Sequence, residues 1–370
     1  MTLLKLIFLY PLSVVYGIGV RFRNFLFDSN ILKSTEFDIP VISIGNISVG
    51  GTGKTPATEY LVRLLKPEYE VAVLSRGYKR KTKGFVLADK NASVDKIGDE
   101  PYQIFNKFPD ITVAVDEKRV RGIKKLLEAE KKPDLIILDD AFQHRYVKPG
   151  LSILLIDYTQ PFFNDKYLPY GRLRDNPNER FRAEIVIVTK TPKSVKPIDM
   201  RITATDLMLK PYQALYFAEI SYKEPIPVFY KESKHLPSRL GDLKDYDVLL
   251  ISGIGNPKPF TEHCKSICKS ITVLNFEDHH KYTIKDLEKI SSEFQKINSP
   301  RKIIITTEKD AVRLRSVDIK NEITKKAFFF CPIQMSILSE EKKEFEDLVF
   351  HFIKKTNAQH RFLTSKKKFY

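Results

Sequence analysis

Residues 45–55 read G-N-I-S-V-G-G-T-G-K-T, preceded by the β-branched run 41–44 and followed by Pro56. A strand running into a glycine-rich turn and then G-K-T at a helix start is built to hold a polyphosphate. The backbone N–H groups of Ser48, Val49, Gly50, Gly51, Thr52 and Gly53 point at phosphate oxygens, Lys54 reaches the terminal phosphates, and the Thr55 hydroxyl ligates Mg²⁺. The strict pattern has glycine where Ser48 stands, and the compressed form G-G-x-G-K-T replaces it here. One class of dimerising P-loop ATPases carries lysine just before the two glycines; Val49 occupies that position, which argues against that class. A second acidic element, P-D-L-I-I-L-D-D-A-F-Q-H-R, spans 133–145. Four apolar residues ending in Asp139 and Asp140 read as a strand whose terminal carboxylates hold Mg²⁺ directly or through water, with either one as the direct ligand.

These groups need a rigid frame, and the apolar pattern supplies one. Short apolar runs at 41–44, 71–74, 111–115, 135–138, 151–156 and 185–188 alternate with amphipathic stretches at 56–65, 102–108 and 118–130. Continuous apolar strands separated by helices predict a parallel sheet covered on both faces, a P-loop NTPase-like α/β sandwich. Proline-rich, charged sequence follows, after which the alternation resumes as a second, smaller α/β domain. The expected division is a helix at 1–28, a P-loop domain at 29–220, an extended linker at 221–245, and a smaller domain at 246–370 that includes the C-terminal helix.

The chain of 370 residues has room for two cores, and its 42% hydrophobic and 29% charged residues exclude disorder, collagen and coiled coil as global descriptions. Three cysteines cannot build a disulfide framework. The surplus of 62 Lys and Arg over 46 Asp and Glu calls for an anionic partner. Residues 3–20 are mostly apolar, but Lys5, Pro11, Ser13, Gly17 and Gly19 interrupt a run already short for a membrane span. With Arg21 and Arg23 following, the segment predicts a helix lying in the headgroup plane of a membrane surface.

Several further segments make the chain resemble the tetraacyldisaccharide 4'-kinase family. They are S-V-G-G-T-G-K-T-P at 48, S-R-G-Y at 75, G-D-E-P at 98, R-V at 119, D-D-A-F-Q-H-R at 139, L-R-D at 173, G-I-G-N-P at 253, D-H-H at 278 and T-E-K-D-A-V at 307. Ala141 departs from the family's usual glycine and Asp175 from its usual glutamate. The resemblance implies transfer of the γ-phosphoryl group of ATP to the 4'-hydroxyl of a tetraacylated glucosamine disaccharide 1-phosphate. It also implies two α/β domains with a cleft between them, and attachment at the cytoplasmic face of the bacterial inner membrane. It casts Asp99 as general base, a residue that local sequence alone would make a helix cap, and His279 as its partner. Arg76, Arg119 and Arg174 become candidates for substrate or nucleotide phosphates, because guanidinium forks fit phosphate oxygens. Gln143, His144 and Asp175 are further candidates near the transferred group. His263, Cys264 and Cys268 are read as ordinary helix residues.

Three other classes fit less well. A guanine reader needs N-K-x-D, whereas T-K-T-P stands at 189 without the terminal aspartate. A metallochaperone needs a Cys or His cluster. A nucleic-acid-binding ATPase would show a basic stripe interleaved with stacking aromatics, but the basic residues are spread along the chain. The expected partners are therefore ATP, Mg²⁺, the lipid substrate and the membrane surface, without nucleic acid, for a chain acting as a monomer.

Overall fold

The computed structural model describes residues 2–163, 165–229, 243–315, 317, 325–338 and 340–367. They form two compact units, one made of Met1–Ile220 with Met335–Tyr370, the other of Ser221–Gln334.

The first unit begins with helix α1 (Thr2–Asp28), followed by β1 (Val41–Gly45), α2 (Lys54–Leu65), β2 (Val71–Ser75), β3 (Val86–Leu87), α3 (Val94–Ile97), α4 (Asp99–Lys107), β4 (Thr112–Val115), α5 (Arg119–Leu127), β5 (Leu135–Leu138), β6 (Leu151–Asp157), β7 (Ile185–Thr189), α6 (Pro197–Leu207) and β8 (Ala214–Tyr222). The second contains β9 (Ile226–Pro227), β10 (Asp247–Ser252), α7 (Lys258–Ile267), β11 (Ser270–Asn275), α8 (Ile284–Lys296), β12 (Lys302–Thr307), α9 (Glu308–Leu314) and β13 (Phe328–Cys331). The chain then closes with β14 (Ile333–Ile337) and α10 (Lys342–Lys367).

The large sheet has the order β14-β8-β7-β6-β1-β5-β2-β4-β3. β1 lies between β5 and β6, parallel to both, with Ser43 opposite Leu138. That register brings the turn after β1 beside the turn after β5, so the glycine-rich segment and the paired aspartates leave the same edge of the sheet, where α/β folds bind ligands. The central strands β1, β2, β5, β6 and β7 are mostly apolar and buried because both faces are covered. Ile42 and Ile44 pack with Leu61 and Leu65 of α2, while Val41 packs on the other face with Ile123 and Leu126 of α5.

Two elements differ from the sequence expectation. The C-terminal helix, expected with the smaller domain, packs on the first unit: Phe345, Val349 and Ile353 are fully buried in the same cluster as Ile42 and Leu61. The stretch read as the approach to a linker contains β8, which pairs with β7 from Ile185↔Ala214 to Val188↔Phe217. Its short run Ala214–Ala218 gives way to Glu219 and lies between Pro211 and the prolines at 225 and 227, and that setting hid the strand beside the sheet edge. Residues 230–242 of the expected linker lie outside the described residues.

In the second unit the sheet order is β11-β10-β12-β13-β9, parallel except for β9 against β13. Leu249, Ile251, Leu287, Ile290, Ile304 and Phe328 form its core.

Candidate active site

The glycine-rich turn has the backbone freedom its sequence promises. Gly50 and Gly53 have φ values of 121° and 86°, and Gly53 is the residue from which α2 starts. Side chains there would be strained. A Cβ on Gly53 would also come within 2.8 Å of Ile220. The turn is pinned from inside by Asn46, whose Nδ2 donates to Thr52 Oγ1 at 2.7 Å, and by Thr189, whose hydroxyl donates to the Thr52 carbonyl at 2.8 Å. From outside, Val49 N donates to Arg172 O at 2.7 Å. Thr52 and Thr55 are buried and Gly50 and Gly51 are exposed, so the turn presents its backbone outward.

Lys54 Nζ lies 3.9 Å from Asp140 Oδ2. Arg174 grips the same carboxylate with two N–H groups, one of them at 3.2 Å, and also donates to the Asn46 carbonyl. Burial alone would raise the Asp140 carboxyl, but Lys54 and Arg174 overcome it and hold the group below the usual carboxylate range. Asp140 sits at φ 49°, a left-handed conformation rare outside glycine. Asp139 behaves oppositely. Complete burial, with Glu100 and Asp140 nearby, pushes its carboxyl well above the usual range. Its Oδ1 accepts from Thr58 at 3.0 Å, while the buried Oδ2 has no hydrogen-bond partner.

That orphaned oxygen tests whether the residues suit a divalent cation. A desolvated carboxylate oxygen beside a second carboxylate, with Thr55 at the start of α2 after the neighbouring glycine-rich turn, fits Mg²⁺, which takes one or two carboxylates and completes its shell with water and phosphate. Among the described residues no group of three or more His, Cys, Asp or Glu forms a self-sufficient metal site. A phosphate-dependent Mg²⁺ site does not need one.

The other expected site residues fall into distinct places. Asp99 is the first residue of α4, after Gly98 at φ 91°, so Gly98 and not Asp99 occupies the cap position. Arg76 is exposed. Arg119 is buried and donates to the Asp116 carbonyl at 2.8 Å and the Asp139 carbonyl at 3.4 Å, bracing the aspartate turn from within. Gln143 Nε2 donates to Asn46 O at 2.7 Å, tying the two turns together. His144 is half-buried near Arg119, Arg23 and Arg76, and burial followed by those charges lowers its imidazole to about 4. It is a neutral ring at neutral pH. Asp175 is fully buried and accepts from Asn24 of α1 at 2.8 Å and from Asn176 N at 2.9 Å, so it locks α1 in place. Asn24 and Thr58 lie outside the sequence motifs, and Asn46 and Thr189 lie within the segments at 45 and 189 but have no role assigned from sequence. Only Thr58, one helical turn beyond Lys54, had a positional signal.

α1 has two unlike faces. Ser13, Asn24 and Phe27 are buried, and a Cβ on Gly17 would meet the Tyr167 ring at 2.6 Å. Tyr16 donates to Arg174 O at 3.1 Å. On the opposite stripe Ile7, Phe8, Leu12, Val15, Ile18, Phe22 and Phe25 are each more than half exposed. No helix among the described residues is long and apolar enough to cross a membrane.

In the second unit, His279 is part-exposed and its Nδ1 lies 3.1 Å from Arg313 Nη2. His280 Nε2 pairs with Asp286 at 3.0 Å. Cys264 packs in the core with Phe260 and Cys331.

Comparison with known proteins agrees with this geometry. The family model described as tetraacyldisaccharide-1-P 4'-kinase matches residues 5–354. The chain is 47% identical to tetraacyldisaccharide 4'-kinase of Phocaeicola vulgatus over 96% of this chain and 97% of that one. It is 46% identical to the Bacteroides thetaiotaomicron protein of the same name, over 96% and 95%. Among solved structures, LpxK from Aquifex aeolicus in complex with ATP superposes with a TM-score of 0.71 at 29% identity, over 93% of this chain and 98% of that one. A glycine-rich turn, a paired-aspartate turn beside it and this match over nearly the whole length together place the chain in the tetraacyldisaccharide-1-P 4'-kinase family.

Proposed function

We propose that this protein transfers the γ-phosphoryl group of ATP to the 4'-hydroxyl of a tetraacylated glucosamine disaccharide 1-phosphate, a step of lipid A biosynthesis, at the cytoplasmic face of the inner membrane. The observation that carries the reading is the register of β1 against β5, which sets Lys54 beside Asp140 at 3.9 Å in a chain of this family.

In the transfer a bond forms between the 4'-oxygen and Pγ, the bond from Pγ to the ADP oxygen breaks, and the hydroxyl proton leaves. Catalysis is mostly positioning and charge stabilisation. The turn from Ser48 to Thr55 holds the phosphates through backbone N–H groups. Lys54 neutralises charge at the β and γ positions, and Arg174, bound to Asp140, is positioned to turn toward phosphate. Asp99, at the positive end of α4, accepts the proton, and His279 acts in the same step. Thr55 with Asp139 and Asp140 would hold Mg²⁺, which would supply positive charge to offset that of the phosphates. The exposed stripe of α1 lies in the headgroup region while Arg21 meets lipid phosphates, a peripheral attachment by a monomer. The formal charge of +16 suits ATP, the substrate phosphate and acidic lipid, and no nucleic acid is called for.

The direct test is incubation of purified protein with γ-labelled ATP and a tetraacyl disaccharide 1-phosphate. Label should appear in a bisphosphorylated lipid, and ATP hydrolysis without transfer would refute the reading.

A further inference from the structure

Three segments far apart along the chain, G-I-G-N-P, D-H-H and T-E-K-D-A-V, converge in the second unit where β10, β11 and β12 end. Asp310 of α9 is fully buried. Its Oδ2 accepts from Gly253 N at 2.9 Å and from the Thr307 hydroxyl at 2.6 Å, and its Oδ1 accepts from Arg313 Nη1 at 3.1 Å. The Gly253 carbonyl accepts from Arg313 Nη1 at 3.2 Å and from the His279 backbone N–H at 3.1 Å. One peptide therefore clamps both the guanidinium and the backbone that carries the imidazole. His279 itself sits at φ 61°, and a Cβ on Gly253 would crowd Asp310 Oδ1 at 3.0 Å and Glu277 O at 3.2 Å. A larger residue there would need its neighbours to give by a few tenths of an ångström.

Within this clamp Arg313 Nη2 stands 3.1 Å from His279 Nδ1. A guanidinium has only donors, so a ring nitrogen bonded to it must supply the lone pair. In a neutral imidazole the proton then resides on Nε2, which lies 3.9 Å from Asp278 Oδ1. We infer that Arg313 is a positioning residue: it fixes His279 in the neutral tautomer with the proton on Nε2, so that His279 enters the reaction as an N–H donor and not as a proton acceptor. The catalytic half of this inference rests on the kinase reading above, while the tautomer half stands on the second unit alone. Arg313 cannot swing away without leaving the buried Asp310 carboxylate short of its cation, which is why the arrangement is rigid.

The test uses the full-length protein with ¹⁵N-labelled histidine, the His279 ring being assigned by its loss in His279→Gln. In the wild type, Nδ1 should resonate as an unprotonated, pyridine-like nitrogen and Nε2 as a protonated one. Arg313→Gln should give mixed tautomers and lower kcat by roughly 10- to 100-fold, with the KM for ATP little changed. Arg313→Lys retains a donor and a charge against Asp310; it should keep the wild-type tautomer and most of the activity, and it decides the matter should the glutamine variant not fold. His279→Gln, which keeps an N–H near the Nε2 position, should retain more activity than His279→Ala. A wild-type ring protonated on Nδ1, or wild-type tautomer and kcat in a folded Arg313→Gln, would overturn the inference. Equal activity of the two His279 variants would overturn the donor role. If no lipid is phosphorylated at all, the kinase reading fails and the nitrogen shifts still decide the tautomer.

Discussion

Lys54, Asp139 and Asp140 share one turn edge, yet their environments push them apart chemically. Asp140 is held ionised by Lys54 and Arg174, whereas Asp139 is desolvated and keeps an orphaned oxygen. A site assembled this way stabilises charge only when phosphate and cation arrive. Replacing Lys54 by alanine should therefore leave the fold intact and reduce phosphoryl transfer by at least about a hundredfold, since it removes a preorganised charge from the transferring group. Turnover at saturating ATP, beside a melting curve, measures this. Asp99 separates a base from a helix-start residue more sharply. Gly98 occupies the cap, so the contribution of Asp99 to α4 as a helix-start residue is that of the helix dipole, worth about 0.3–1 kcal/mol. Asp99→Asn should melt within a few degrees of wild type while kcat falls by about 10²- to 10⁴-fold. Normal turnover in that folded variant would remove Asp99 from the proton transfer.

At the scale of elements, helices connect the site to the rest of the unit through a few buried polar groups. Glu59 on α2 is buried and accepts from Gln103 at 2.9 Å and Lys107 at 2.7 Å on α4, with Arg63 at 3.4 Å. This carboxylate crosslinks the helix that starts at Lys54 to the helix that starts at Asp99. Glu59→Leu should cost about 1–3 kcal/mol, because Gln103 loses its partner inside while Lys107 and Arg63 can turn to water. Urea unfolding reads that cost. The α1 helix joins the site to whatever covers its exposed stripe. Val15→Asp combined with Phe22→Asp changes only that stripe, so binding to anionic vesicles should weaken strongly in sedimentation while the melting temperature stays constant. Unchanged binding would move the membrane contact elsewhere.

For the whole molecule, the C-terminal helix completes the first unit after the chain has made the second. Phe345 packs against Tyr60 and Tyr216 at ring distances of 5.8 and 5.2 Å, and Tyr60 donates to Glu346 at 2.9 Å. Tyr60 lies on α2, so the last helix supports the helix behind the phosphate turn. Phe345→Ala should destabilise the first unit by about 3–5 kcal/mol and leave the second unaffected. Hydrogen exchange followed unit by unit distinguishes this from a helix belonging to the smaller unit, in which case the loss of protection would fall on residues 221–334.

Features built from residue types in tight local spacing are legible in the sequence alone. The glycine turn, the apolar strand ending in two aspartates and the alternation of strands with helices each depend on neighbours a few positions apart, so periodicity and turn chemistry suffice to find them; the amphipathic stretch expected at 118–130 contains α5, Arg119–Leu127. What the sequence left open depends on groups distant along the chain. That Arg119 is buried under the aspartate turn, that Asn24 reaches Asp175 across 151 positions, and that α10 returns to the first unit are outcomes of which buried charge finds a partner and which apolar face finds cover. A guanidinium looks the same in sequence whether it will face phosphate or a buried carbonyl. Only packing decides, because the cost of burying a charge is set by the groups that surround it.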